Sequence, residues 1–311
     1  MRFLSSPHSG FRNTGESGRA TGPPEDQRAA GKPLCARREA DPAVMAATLV
    51  ARGGRGAPPT LGDMIDYDAE AADYDRTRGG EPRAAAAARA VTALFPASVR
   101  TVVDVACGTG IVTTRLAGSR RTVLGIDRTP AMLSRAATRL PGGVARADAT
   151  ALPLKAASVD AVVVIWLLHL LPDAAPVIAE AARVLRPGGV LITTVDKDEA
   201  PFARPGGDLA VATEPFRTRH AARRADNADR VLALAAEHGL HPAGESAFRG
   251  VGQGRTPARW LAAAEANRLK WAPPAELEAV RAALTALPEQ DSPRPDPTYR
   301  LLALRARTTG R

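Results

Sequence analysis

Residues 101–110, TVVDVACGTG, predict a buried strand that ends in a tight, glycine-containing turn. The valines of this stretch are apolar and β-branched, which is typical of a strand covered on both faces. Asp104 stands near the end of the strand, and apolar residues at helical spacing resume at Ile111. A strand, turn and helix in this order form the junction at which open α/β sheets bind ligands, because glycines let a ligand approach the backbone.

Residues 121–126, RTVLGI, predict a second apolar strand, and Asp127 follows it. An acid roughly 20 residues past such a turn accepts hydrogen bonds from the ribose hydroxyls of a nucleoside. The dinucleotide fingerprint G-x-G-x-x-G/A fits poorly, because Thr113 occupies its third glycine position. The sequence also lacks a G-x-x-x-x-G-K-[ST] phosphate loop.

The chain resembles the class I S-adenosylmethionine (SAM)-dependent methyltransferases, and within them the ubiquinone- and menaquinone-biosynthesis group with a methyltransferase type 11 domain. The matching stretches lie in family order between Asp104 and Leu191: DVACGTG, VLGID, ARADATALPL, SVDAVVVIWLLHLLPD and ARVLRPGGVL. The resemblance implies an α/β, Rossmann-like fold with a seven-stranded, mostly parallel sheet, helices on both faces and an antiparallel last strand. It also implies S-adenosylmethionine as the cofactor. Ala106 departs from the family, which usually has its first glycine there.

The resemblance further implies which residues contact the cofactor. Asp104 would orient the turn and the methionine amino end, Asp127 the ribose, and Asp148 the adenine amino group. The alternative for Asp148 is that it only caps a turn. The remaining expected contacts in the core are Ala106, Cys107, Gly108, Gly110, Arg128, Met132, Ala149 and Trp166.

The segment from Met64, MIDYDAEAADYDRTRGGEP, repeats a tyrosine-aspartate pair at Tyr67 and Tyr74. In the resembling group such a segment folds over the cofactor, whereas the alternative is an amphipathic helix whose tyrosines pack on the core. Arg78 is a candidate to bind the SAM carboxylate as a charged donor, or else it is a solvated arginine.

Residues 161–165, AVVVI, predict the central fourth strand, which places Trp166 and His169 beside the expected site of methyl transfer. No catalytic residue is assigned by the sequence. His169 is the one weak candidate, as a general base, since its unperturbed pKa lies near neutrality. It is otherwise a supporting residue packed between leucines. We interpret Trp166 as a wall of the pocket rather than a cation–π group.

Residues 1–61 are rich in Gly, Pro, Ala, Ser and Arg and predict a disordered extension. An organelle transit peptide or a true start at Met64 are further hypotheses. Residues 62–311 are then the methyltransferase domain, with a cofactor-binding core at about 98–195 and substrate-side elements at about 200–290. Within these elements we predict a long loop over 201–215 and a single helix over 219–238, and 250–269 is a candidate for specificity.

The formal net charge of +9 is carried mostly by scattered arginines, and only 4% of residues are aromatic. We therefore expect no specific nucleic-acid partner. The chain has only two cysteines, so we expect no disulfide framework. The five histidines lack other metal-binding side chains at a useful spacing, so we expect no metal site. No run of 18 apolar residues is present, so we expect no membrane span and a cytoplasmic location.

The sequence thus predicts a methyltransferase that moves a methyl group from S-adenosylmethionine to a small molecule, mainly by positioning and desolvation. The alternatives are a non-catalytic SAM-binding or protein-interaction module and an NAD-dependent oxidoreductase. The intact acids weigh against the first, and Thr113 weighs against the second. The oligomeric state and the accepting atom are open.

Overall fold

The computed structural model describes residues 66–269 and 271–308. The predicted extension over 1–61 and the hypothesis of a start at Met64 therefore concern residues outside the described ones. Among the helices of the described residues, none combines the length and the apolar character needed to cross a membrane.

One mixed sheet of seven strands forms the centre of the fold, in the order β3-β2-β1-β4-β5-β7-β6. In chain order the strands are β1 (Thr101–Val105), β2 (Thr122–Asp127), β3 (Val144–Arg146), β4 (Val159–Val164), β5 (Leu185–Val195), β6 (Leu240–Arg249) and β7 (Thr298–Ala306). Strands β1 to β5 pair in parallel, whereas β7 runs antiparallel between β5 and β6. The predicted fold, with its one antiparallel last strand, is confirmed.

Ten α-helices lie in the described ranges 66–269 and 271–308. They are α1 (Tyr67–Glu70), α2 (Tyr74–Thr77), α3 (Gly80–Ala93), α4 (Thr113–Leu116), α5 (Pro130–Arg139), α6 (Ala175–Val184), α7 (Asp208–Ala221), α8 (Ala228–Glu237), α9 (Pro257–Glu265) and α10 (Leu277–Thr285). Short 3₁₀ turns occupy Leu168–Leu170, Lys197–Phe202 and Pro274–Glu276.

The two faces of the sheet are covered by separate apolar clusters. Neighbouring residues along β4 alternate between them, with Val162 in one cluster and Val163 in the other. Leu191 and Ile192 on β5 alternate in the same way. Because successive side chains of a strand point to opposite faces, an unbroken apolar run is what a sheet covered on both sides requires.

A third apolar cluster joins α7, α9 and α10, with Phe202, Trp260 and Trp271 in contact at its centre. The prediction of a long loop over 201–215 is wrong, because α7 starts at Asp208 and continues through Pro215. The guanidinium of the buried Arg217 packs 4.0 Å from the Phe202 ring and donates to the Ala210 carbonyl. Tertiary packing therefore overrides the local signal of the proline.

The prediction of one helix over 219–238 is also wrong. The chain leaves α7 at Ala221 and begins α8 at Ala228. Asn227 caps α8, since its side chain accepts a hydrogen bond from the Arg230 amide at 3.1 Å. An Asn at this position favours a new helix start over continuation of the old one.

Candidate functional site

The turn after β1 holds three residues with left-handed backbone: Ala106 at φ 60°, Gly108 at 55° and Gly110 at 73°. A Cβ on Gly110 would lie 3.1 Å from Ala136 of α5, so this glycine permits close packing of the turn on that helix. A Cβ on Gly108 would meet nothing within 4 Å. Gly108 therefore leaves open space over the turn, as a cradle for a ligand requires.

Asp104 lies beneath this turn and is only 1% exposed. Its Oδ2 accepts a hydrogen bond from the Thr113 hydroxyl at 2.5 Å, while its Oδ1 is buried without a partner. Burial raises the pKa of Asp104 to about 7, in spite of the opposing hydrogen bond from Thr113. An unpaired buried acceptor is costly, so Oδ1 fits a site completed by a bound donor or cation. Thr113, which breaks the dinucleotide fingerprint, is thus the hydrogen-bond partner of this acid.

Asp127 ends β2 and connects the turn to the next helix. Its Oδ2 accepts from the Gly108 amide at 2.8 Å and its Oδ1 accepts from the Thr129 amide at 2.9 Å. A carboxylate oxygen has two lone pairs, so each oxygen keeps one for a further donor. Asp127 therefore shapes the turn and still offers a bidentate acceptor to a pair of hydroxyls.

Asp148 follows β3 and caps its own turn. Its Oδ1 accepts from the amide and the hydroxyl of Thr150, at 2.8 and 2.7 Å. The Oδ1 atom of Asp148 thus caps the turn, as the alternative interpretation expected, and contact of this residue with adenine remains a prediction. Ala149 beside it is half-buried and packs against the core.

The other predicted contacts differ in exposure. Cys107 is buried, and burial raises the pKa of its thiol above the usual range, which suits a packing residue. Met132 is 2% exposed on α5, and Arg128 is exposed after β2.

Two aspartates fasten the segment 66–79 to the core. Asp68 Oδ1 accepts from the Ala131 amide at 2.9 Å, at the start of α5. Asp75 accepts from the Thr109 hydroxyl at 2.6 Å and from the Arg139 guanidinium at 2.7 Å. Sequence reasoning concentrated on the tyrosines of the repeated pair and missed these acids, although the repeat itself contains them.

The tyrosines of this segment lie against each other, with Tyr67 and Tyr74 ring centroids 6.2 Å apart. Burial raises the pKa of Tyr67 to about 12, so its hydroxyl stays a donor at neutral pH. Arg78 pairs with Glu70 at 2.9 Å, and its guanidinium lies 5.6 Å from the Tyr74 ring. Arg78 is thus a half-exposed arginine in an ion pair, and a role toward the SAM carboxylate remains a prediction.

Trp166 follows β4 with a left-handed backbone at φ 58°, and its amide donates to the Thr194 hydroxyl at 2.9 Å. The Arg83 guanidinium stacks 3.4 Å from its ring centroid. The interpretation of Trp166 as a wall without a cation–π contact is therefore wrong, because α3 brings a cation onto its face. His169 lies nearby along the chain, half-buried in the 3₁₀ turn Leu168–Leu170.

Sequence reasoning missed three residues around Trp166. Phe248 of β6 and Tyr299 of β7 meet its ring edge-on at 5.6 and 5.8 Å, and Arg83 covers its face. We call Arg83, Trp166, Phe248 and Tyr299 the aromatic box. The residues are far apart in the chain, and only the pairing of β6 with β7 aligns Phe248 with Tyr299.

Comparison with known proteins finds that residues 103–193 match the family model described as a methyltransferase domain. An uncharacterized methyltransferase of Mycobacterium bovis is 39% identical over 128 residues, which cover 41% of this chain and 50% of the relative. A probable S-adenosylmethionine-dependent methyltransferase of Mycolicibacterium smegmatis is 35% identical over 121 residues, covering 39% of this chain and 46% of the relative. A ubiquinone/menaquinone biosynthesis C-methyltransferase of Acidiphilium cryptum is 41% identical over 107 residues, which cover 32% of this chain and 43% of the relative. The chain thus spans about half the length of the curated relatives it matches.

Proposed function

We propose that this chain transfers a methyl group from S-adenosylmethionine to a small-molecule acceptor. The proposal starts from the match of residues 103–193 to the methyltransferase-domain family model. The observation that carries the proposal is Asp104 Oδ1, a buried acceptor without a partner beneath an open glycine turn. An ammonium group is the donor that such a carboxylate fits best.

The residues present suit the parts of the cofactor. Asp104 would face the methionine amino end, the free lone pairs of Asp127 the ribose hydroxyls, and Asp148 with Ala149 the adenine. Gly108 leaves the backbone accessible, and the half-buried Tyr67 and Tyr74 stand on the segment that Asp68 and Asp75 hold against α5 and the turn.

The bound cofactor supplies an activated methyl group that carries its own leaving group. The protein then has to hold the acceptor in line with that methyl group and exclude water, which supplies up to roughly 7–11 kcal/mol of barrier reduction in favourable cases. The half-buried Trp166 and the buried Phe248 and Tyr299 at the end of β4 would serve this purpose. His169 is the candidate to remove a proton where the acceptor atom carries one.

Calorimetric titration of the full chain with S-adenosylmethionine, S-adenosylhomocysteine and NAD tests the proposal. We expect saturable binding of both sulfur compounds and none of NAD. Asp127→Ala should weaken this binding by roughly 1.5–3 kcal/mol, the scale of hydrogen bonds to a charged group. Asp173→Ala is the matched control, since that exposed carboxylate pairs with Arg230 at 3.1 Å, and its affinity should equal that of the unaltered protein.

Folded protein that binds neither sulfur compound would refute the proposal. Because Asp127 also holds the Gly108 and Thr129 amides, circular dichroism of the Asp127→Ala variant has to accompany its titration.

A further inference from the structure

Arg83 is a buried cation at the edge of the proposed active site. It stands in the first turn of α3 and is 8% exposed. Its guanidinium carbon lies 3.4 Å from the Trp166 ring centroid and 5.5 Å from that of Tyr299. Stacking on the indole covers one face of the guanidinium and leaves its N–H edges as the part able to bind.

No carboxylate pairs with Arg83 among residues 66–269 and 271–308. Its Nη1 donates to the Arg78 carbonyl at 2.7 Å, whereas its Nε is buried without a partner. Buried arginines are almost always paired, because an uncompensated charge away from water is costly. Burial also lowers the pKa of Arg83, a direction that an anion beside it would reverse.

Trp166 carries a second orphaned donor in the same box. Its Nε1 is buried without a partner. Its left-handed backbone, at φ 58°, is a strained conformation that clusters at functional sites. Both donors lie just past the carboxyl end of the central strand β4, where open α/β sheets bind their ligands.

We propose that Arg83 binds a carboxylate of the methyl acceptor, held by the Nε edge of its guanidinium between the walls of the aromatic box. This inference rests on the proposed function and names the substrate class for that site. A planar carboxylate matches the planar arginine fork, and the rings beside it favour a flat group next to the carboxylate. The anion belongs to the acceptor rather than the cofactor, because Arg83 covers Trp166 just past β4, whereas the acids proposed to hold the cofactor lie at the ends of β1 and β2 and after β3.

Benzoate and benzamide are matched probes, since they differ in charge and share the ring. The full chain, saturated with S-adenosylhomocysteine, is titrated with each, and binding is followed by calorimetry and by the indole N–H resonances. We expect saturable binding of benzoate with a shift of the Trp166 indole, and at least about ten-fold weaker binding of benzamide.

Arg83→Gln should weaken benzoate binding about ten-fold and leave the affinity for S-adenosylhomocysteine within two-fold. Arg89→Gln is the control, because this exposed arginine lies on the same helix, and neither affinity should change. Arg83→Lys keeps the charge without the fork and should give intermediate binding of benzoate. If the Arg83→Gln variant does not fold, the benzoate affinity of Arg83→Lys tests the inference instead, and an affinity equal to that of the unaltered protein would contradict it.

Benzoate that fails to bind, or that binds no better than benzamide, overturns the inference. So does an Arg83→Gln variant that loses S-adenosylhomocysteine instead, since the carboxylate would then be the cofactor's own. An unaltered protein that does not bind S-adenosylhomocysteine refutes the proposed function itself, which is a different result from failure of benzoate alone.

Discussion

At the scale of single residues, the turn after β1 depends on backbone conformation more than on side chains. Ala106 occupies the left-handed region at φ 60°, where L-residues cost roughly 1–2 kcal/mol. The family usually has a glycine at this position, and the structure gives the physical reason. Gly108, at φ 55°, adopts the same region without that cost.

Ala106→Gly should therefore raise the free energy of unfolding by roughly 0.5–1 kcal/mol, which is the relieved strain less the extra entropy of glycine in the unfolded chain. Urea unfolding measures the change. Gly108→Ala is the mirror control and should lower stability by about 0.5–1 kcal/mol, although its Cβ meets no atom. A destabilised Ala106→Gly variant would contradict the account of strain.

Asp104 makes the stability of the ligand-free protein depend on pH. Burial raises its pKa from 3.8 to about 7, so the folded state holds the proton more tightly than the unfolded chain. The stabilisation from this proton is complete below about pH 4 and is lost as the pH rises through about 7. Asp104→Asn stays uncharged, so its free energy of unfolding should lack this fall, and urea titrations across the range measure the difference.

Asp160 should contribute a pH dependence of the free energy of unfolding with the opposite sign, and Asp160→Asn should remove it. Burial alone would raise the pKa of Asp160, but hydrogen bonds from Arg186 and from the amides of Thr101 and Arg100 lower it. Its stabilisation is present at neutral pH and is lost as the pH falls through the carboxyl range. A pH profile of Asp104→Asn that matches the unaltered protein would rule out Asp104 as the source of the dependence.

At the scale of elements, α1 and α2 are too short to be stable alone, and their position depends on tertiary bonds. The bonds of Asp75 to Thr109 and Arg139 tie α2 directly to the glycine turn. The place proposed for this segment at the cofactor site therefore depends on these bonds together with the bond from the Ala131 amide to Asp68.

Asp75→Ala should release this segment, giving faster amide exchange over 66–79 and about ten-fold weaker binding of S-adenosylhomocysteine, the scale of one or two lost hydrogen bonds. Hydrogen exchange with mass spectrometry and calorimetry measure the two effects. Asp73→Ala is the control, because its pair with Arg76 is exposed by 65% and 75% and contributes little. Unchanged exchange in Asp75→Ala would show that other contacts hold the segment.

At the scale of the whole molecule, the small number of aromatic residues is less informative than their arrangement. Trp166, Phe248 and Tyr299 gather at the end of β4, while Phe202, Trp260 and Trp271 gather under α7, α9 and α10. Many arginines of the basic chain pair with carboxylates, as Arg217 and Arg224 do with Glu199. Net composition therefore describes neither the site nor the surface.

The sequence by itself determined the parts that local patterns encode. The β-branched runs of β1 and β4 and the glycine turn indicated strands of an α/β sheet, and the observed sheet confirms that prediction. The family-like stretches between Asp104 and Leu191 implied a methyltransferase domain with S-adenosylmethionine as the family's cofactor, and the matching family model and a relative named as S-adenosylmethionine-dependent agree with that expectation. Strand periodicity and turn chemistry act over a few residues, so they are legible in a single chain. Asp104 near the end of β1 and Asp127 at the end of β2 were found from the same local patterns, whereas the family resemblance implied the role of Asp148 after β3. The contacts of all three acids with the cofactor remain predictions.

Tertiary structure alone decided which distant residues meet. Arg83 reaches Trp166 because α3 packs on the sheet, and Phe248 meets Tyr299 because β7 inserts antiparallel between β5 and β6. Tertiary packing also explains why α7 continues through Pro215. The contact of Arg217 with Phe202 stabilises the helix against the helix-breaking tendency of the proline. Contacts between residues far apart in the chain arise from burial over the whole fold, and no local propensity encodes them.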